Sequence, residues 1–257
     1  MKTIALAMPK GGTAKTTTCI NLAAALVELG WRVCAVDLDP QGNLTACAGW
    51  EPDSLNQTIY QTIVSTIRDG RVAPPPILAT KDGFDLIPAN LDLSLAELDL
   101  QSTFRREYVL ARILARLEGD YDFVLLDCPP SLGILVVNAL TAAETVLIPT
   151  QAEFLAARGI DRLLQVVERV RATELNPGLG IAGILLTMAD RRTIHAREII
   201  SVVRQAYGDL RVFDTVIYRS VRFAESTATG RSILQIPEAK EQADAYRALA
   251  REVLSNG

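Results

Sequence analysis

Histidine is almost absent from this sequence: His195 is the only one in 257 residues. A lone imidazole has no second histidine with which to build a metal centre. The four cysteines, Cys19, Cys34, Cys47 and Cys128, show no C-x-x-C spacing, so a zinc site and a redox motif are both disfavoured. No apolar run approaches the roughly 20 residues of a membrane span. The opening MKTIALAMPK has too short an apolar stretch for a secretory signal. Nor is there a general excess of positive charge, since 26 Lys and Arg stand against 30 Asp and Glu. The expectation is a reduced cytoplasmic protein that meets any polyanion through a local patch rather than its whole surface.

What the sequence does have is a regular alternation of short apolar runs with longer segments of helical period. The runs are TIALAM (3–8), RVCAVDLD (32–39), FDLIPAN (84–90), FVLLD (123–127), TVLIPT (145–150), IAGILLTM (181–188) and VFDTVI (212–217). Apolar without strict alternation, they suit strands covered on both faces by helices, which predicts a three-layer, doubly wound α/β fold with a mostly parallel sheet. Ile20, Ala23, Ala24 and Val27 repeat at helical spacing before Gly30, a suitable helix terminator. Residues 50 to 80 are less regular, and VAPPPI predicts a loop because consecutive prolines fix φ and lack amide donors. With no convincing linker, residues 1–257 are expected to form one domain.

MPKGGTAKTTT, residues 8 to 18, follows the first run. Gly11 and Gly12 let the backbone turn tightly and aim its N–H groups inward, and a helix starting near Lys15 adds its positive dipole end. Such a turn binds phosphate. Lys15 would reach the β- and γ-phosphates, the Thr16 hydroxyl would ligate Mg²⁺ between them, and Thr17 is a further donor to the α-phosphate. VDLDPQGN (36–43) and FVLLDCPPS (123–131) place Asp37, Asp39 and Asp127 at strand ends, where open α/β sheets bind ligands.

The pattern K-G-G-x-x-K-[ST] at residues 10 to 16 resembles the deviant Walker A motif of the ParA/MinD group of P-loop ATPases, especially the Soj-like ParA DNA-partitioning proteins. The likeness continues through SLGILVVNAL, VLIPTQAEFLAARGI, VIYRSVRFAESTATGRSI and AYRALAREVL, nearly the whole chain. It implies a nucleotide site of Lys10, Gly11, Gly12, Thr13, Ala14, Lys15, Thr16, Thr17 and Asp127 that takes ATP or ADP with Mg²⁺. Lys10, Lys15 and Asp39 would be catalytic, and Thr16, Asp39 and Asp127 would stand on the metal side. By the same likeness Lys10 crosses a nucleotide-sandwiched homodimer to the phosphates of the other subunit, Asp39 positions or activates the attacking water, and Asp37 supports the metal side. Gln41 and Asn43 lie in the first switch loop, and Pro129, Pro130 and Ser131 in the second. Ala14 departs from the family's glycine: if that position needs positive φ, its Cβ costs on the order of 1 kcal/mol.

From Ala189 to Arg231 eight arginines (191, 192, 197, 204, 211, 219, 222 and 231) face five acids, concentrating positive charge in the C-terminal third. Such a patch attracts a DNA backbone without base reading. The family resemblance implies nonspecific double-stranded DNA binding by Arg191, Arg192, Arg219 and Arg222 in the ATP dimer. It also implies hydrolysis stimulated by a ParB-type adaptor, and a cytoplasmic, nucleoid-associated ATPase. A similar switch could carry a non-DNA cargo over the nucleoid. A MinD-like membrane role is disfavoured because the stripe Ala239, Ala243, Tyr246, Ala250 and Val253 carries balanced charge on its polar side and is expected to pack on the protein's own core. An iron–sulfur role is disfavoured too, since no second cysteine follows Cys128. The phosphate loop begins by residue 10, so no helix-turn-helix unit, and no operon repression, is expected.

Overall fold

A computed structural model describes residues 1–153, 156–191 and 194–255; Arg192 lies outside them. The chain runs β1 (Lys2–Leu6), α1 (Lys15–Glu28), β2 (Val33–Asp37), α2 (Asn43–Cys47), α3 (Ile59–Asp69), β3 (Leu78–Ala79), β4 (Asp85–Ile87), α4 (Ala96–Gln101) and α5 (Val109–Leu114). It continues with β5 (Phe123–Asp127), α6 (Ile134–Ala142), β6 (Thr145–Gln151), α7 (Ala156–Ala172), β7 (Gly180–Ala189), α8 (Ile194–Ala206), β8 (Val212–Tyr218), α9 (Arg222–Thr229) and α10 (Lys240–Leu254). One eight-stranded sheet has the order β3-β4-β2-β5-β1-β6-β7-β8, parallel throughout except for β3 against β4. All seven expected strands are present.

Both faces of the central strands are buried, as the uninterrupted apolar runs require. Ile4, Leu6, Val33, Ala35, Phe123 and Leu125 point to the layer of α1 and α10. Their neighbours Ala5, Cys34, Val36, Val124 and Leu126 point to the opposite layer, with Ile63 of α3, Leu110 of α5, Leu135 of α6 and Leu163 of α7. Leu22 and Leu26 of α1 are fully buried, each contributing roughly 1.5–3 kcal/mol. The helix stops at the glycine expected to end it: Gly30 takes φ +89°, its N–H donates to Val27 O at 2.9 Å, and Trp31 N–H donates to Leu26 O at 3.1 Å. The stripe of Ala239, just before α10, and Ala243, Tyr246, Ala250 and Val253 within it is buried against this layer. Among the described residues no helix is long and apolar enough to cross a membrane.

Two elements in the irregular stretch escaped the periodicity reading. α3 opens on a reciprocal cap, in which Thr58 Oγ1 accepts from Tyr60 N–H and Thr58 N–H donates to Gln61 Oε1, and it ends at Gly70 with φ +66°. β3 is two residues long, too short for any periodic signal. At the far side of the sheet, β8 bulges where its register with β7 shifts, and Glu252 of α10 accepts the N–H groups of Asp214 and Thr215 at 2.9 Å each.

α2 is fastened to α9 by direct backbone contact. Gly230 ends α9 at φ +61°, and a Cβ there would meet Gly49 Cα at 2.5 Å. Gly230→Ala therefore combines a left-handed penalty with a clash against immobile backbone. It is expected to cost about 2 kcal/mol or more, read as a lowered urea midpoint at unchanged slope.

Candidate functional site

β1 lies between β5 and β6, and the C-terminal ends of the parallel strands form one rim. From β1 the chain turns back over residues 7–14 into α1. Gly12 takes φ +74° and Ala14 takes φ 61°, ψ 32°, so the alanine does occupy the left-handed conformation in which its Cβ is strained. α1 has no side-chain cap, which leaves its first amides directed into the loop as anion donors. Lys15 is buried, with Nζ donating to Met8 O at 3.2 Å and Lys10 O at 3.4 Å. Burial pulls its pKa down against the pull of Asp127 and Asp39, which raises it. Thr13 is buried, its Oγ1 donating to Lys10 O at 3.3 Å and its carbonyl accepting from Thr187 Oγ1 at 3.1 Å. Gly11 is exposed and a Cβ there would meet nothing, whereas Gly12 carries the tight turn.

The carboxylates converge on the same point. Asp37 and Asp127 end adjacent strands in register, and both are fully buried. Asp127 Oδ2 accepts from Thr16 Oγ1 at 2.7 Å, while its Oδ1 is buried without a partner. Burial and then repulsion from Asp37 hold the Asp127 carboxyl well above its usual range. Asp37 is pushed up to about 6, chiefly by burial. Its oxygens accept from Thr45 N–H (2.9 Å), Thr45 Oγ1 (2.8 Å) and Asp39 N–H (3.1 Å). With its carboxylate so occupied, Asp37 braces the loop carrying Asp39 and stands beside Asp127. Asp39 Oδ1 accepts from Gln41 N–H at 3.0 Å. Asn43 opens α2 just after Gly42, and Pro129, Pro130 and Ser131 follow β5 beside Asp127.

An unpartnered carboxylate oxygen beside a threonine hydroxyl is a hard-oxygen donor set that fits Mg²⁺. Among the described residues no group of three or more His, Cys, Asp or Glu side chains could cage a metal unaided. That suits an ion taking most of its ligands from phosphate and water.

Lys10 Nζ points to the next strand's end, donating to Glu153 Oε2 at 2.8 Å and Gln151 Oε1 at 3.1 Å. Gln151 Nε2 donates back to Gly12 O at 2.8 Å. Beside the loop lies a concavity of about 660 Å³ lined by Ala14, Thr17, Met188, Ile217, Arg219, Ser220, Val221, Phe223 and Ala224. Sequence reasoning missed its apolar walls as well as Gln151 and Glu153. Their common signal is position at or just past the C-terminal ends of β6, β7 and β8, on the rim that carries the phosphate loop.

The arginines reach the same rim. Arg191 stacks 4.0 Å over the Tyr218 ring and pairs with Glu241. Arg219 donates from Nε to Met188 O at 3.0 Å and lies 3.9 Å from Glu153. Arg222, at the start of α9, pairs with Glu225 at 2.7 Å.

Residues 1–181 match a family model described as an AAA domain. The chromosome-partitioning ATPase Soj of Thermus thermophilus is 46% identical over 257 residues, 99% of this chain and 96% of that protein. The chromosome partitioning protein ParA of Caulobacter vibrioides is 42% identical over 257 residues, covering 99% and 94%. A solved structure of cobyrinic acid a,c-diamide synthase from Mycobacterium smegmatis, with bound ATP analog and magnesium, is 39% identical with a TM-score of 0.84, covering 100% of this chain and 95% of that one.

A carboxyl whose pKa is raised by folding stabilises fully below its unfolded value and loses that contribution as pH rises through the folded value. Asp37 and Asp127 are both of this kind. The ligand-free protein should therefore lose stability from about pH 4 upward through pH 6. Asp127→Asn should raise its thermal unfolding free energy at pH 7.5, with the advantage shrinking as pH falls toward 4.

Proposed function

This chain belongs to the Soj/ParA family of P-loop ATPases, and from that premise we propose that it is an ATP-driven DNA-partitioning switch. The observation that supports this reading is a phosphate loop with two lysines in different settings: Lys15 buried inside it and Lys10 half-exposed at its rim. The chain is an ATPase whose substrate is ATP with Mg²⁺. The α1 amides and Lys15 neutralise the β- and γ-phosphates, and the base extends toward the concavity beside Thr17 and Phe223. Thr16 and the free oxygen of Asp127 would hold Mg²⁺, which would supply positive charge to offset that of the phosphates. Asp39, its Oδ1 fixed by the Gln41 amide, orients the water that attacks the γ-phosphate.

A triphosphate buried between two subunits needs more cations than one subunit offers, and Lys10 of each copy reaches the phosphates of the other. The closed homodimer retains nonspecific double-stranded DNA through the arginines past β7 and β8, with Arg192 among them. Hydrolysis, stimulated by a ParB-type adaptor, releases it from the nucleoid in the cytoplasm. Carriage of a non-DNA cargo over the nucleoid would use the same switch and differ only in the adaptor. The mycobacterial structure's name points instead to amide synthesis on the same nucleotide cradle. DNA retention that requires ATP, and is absent with ADP or no nucleotide, separates a partitioning switch from a synthase.

Lys15→Ala is expected to weaken ATP binding about 30-fold or more by calorimetry. Lys10→Ala should keep ATP binding but form no ATP-dependent dimer by light scattering. Because Arg219 borders the base concavity, Arg222 is the cleaner DNA probe. Arg222→Glu should lower DNA retention and flatten the slope of log affinity against log salt by about one for each phosphate that the side chain no longer neutralises, and an unchanged slope would remove it from the interface.

A further inference from the structure

Glu153 touches both cations that the proposed switch must deploy. Its Oε2 lies 2.8 Å from Lys10 Nζ and its Oε1 lies 3.9 Å from Arg219. Gln151, two residues earlier, accepts from the same Lys10 ammonium and donates to Gly12 O, so Lys10 is tied back to its own phosphate loop. We propose that Glu153 is a positioning residue for Lys10: it holds the ammonium within its own subunit and so sets how readily two nucleotide-loaded copies close. This rests on the reading in which Lys10 crosses to a second copy.

In the proposed latch the two states are exclusive. The ammonium 2.8 Å from Glu153 in its own chain leaves that carboxylate when it crosses to phosphates bound by a partner. Closing the dimer therefore exchanges a carboxylate for phosphate oxygens. The Lys10 and Glu153 side chains are 39% and 44% exposed, so water and salt screen the contact and the hold is weak. A pair of that kind shifts an equilibrium about 1.4- to 5-fold. A symmetric dimer must open two of them at once, which squares the factor to roughly 2- to 25-fold. The latch is thus strong enough to discourage closure without a facing triphosphate and weak enough for the triphosphate to break. Arg219 shares the carboxylate, so neutralising Glu153 also leaves that guanidinium with more net charge toward DNA phosphates.

The test uses the full chain with ATP and Mg²⁺ at low salt, in an Asp39→Ala background that blocks hydrolysis, with dimerisation followed by sedimentation across protein concentration. Glu153→Gln keeps the side chain's size and removes its charge. The expected result is a dimer dissociation constant lowered roughly 2- to 25-fold, with the gain shrinking as salt is raised. An unchanged or raised constant overturns the proposal. Combining Glu153→Gln with Lys10→Ala distinguishes this failure from failure of the crossing-lysine reading. If Lys10→Ala forms no dimer, the double variant must form none either. If Lys10→Ala still dimerises, the crossing reading falls, and an equal gain from Glu153→Gln in that background shows that Glu153 does not act through Lys10 and overturns the latch as well.

Discussion

One electrostatic conflict organises the rim of the sheet. Asp37 and Asp127 end neighbouring strands in register, sealed from water, with Lys15 as the adjoining cation. Parallel pairing of β2 with β5 forces the two carboxylates together, and no rearrangement of side chains can part them. Asp37 is quieted by three donors from the loop it braces. Asp127 keeps one oxygen unsatisfied. The fold thereby holds in store an affinity for one kind of visitor, a divalent cation accompanied by phosphate, because only that pair relieves the carboxylate while filling the amide-lined loop.

A second tier of charge surrounds this centre and is built on exposed groups. Lys10, Glu153 and Arg219 come from the ends of β1, β6 and β8, and each of Arg191, Arg219 and Arg222 has a glutamate neighbour. Buried pairs at the centre define what binds, whereas screened pairs at the periphery exchange partners at little cost. A nucleotide switch needs both kinds: a rigid seat for phosphate, and contacts loose enough to be traded when a polyanion or a second subunit arrives.

The seven expected strands and the phosphate loop were legible because their signals are local: continuous apolar runs, a glycine pair, a lysine followed by threonine. The strain at Ala14, which the family resemblance raised as conditional on positive φ, appears as φ 61°. α3 was legible in principle, since Thr58 and Gln61 form the reciprocal cap and Ile59, Ile63 and Ile67 recur at helical spacing. Glu153, Met188 and Phe223 could not be read, because their meaning arises only when elements distant in sequence meet at the rim. Asp37 shows the reverse limit: its place at a strand end was foreseen, but its partners, Thr45 and the Asp39 amide, depend on how the following loop folds back.

The two outer strands have a consequence for how this protein can associate. A parallel sheet with naked borders invites lateral growth, strand upon strand. Here one border is a two-residue antiparallel stub, and the other is a bulge whose amides Glu252 already occupies. Ribbon-like extension along the hydrogen-bonding direction is thus discouraged at both margins, and higher-order assembly is steered away from open-ended polymerisation toward contacts made by side chains and loops.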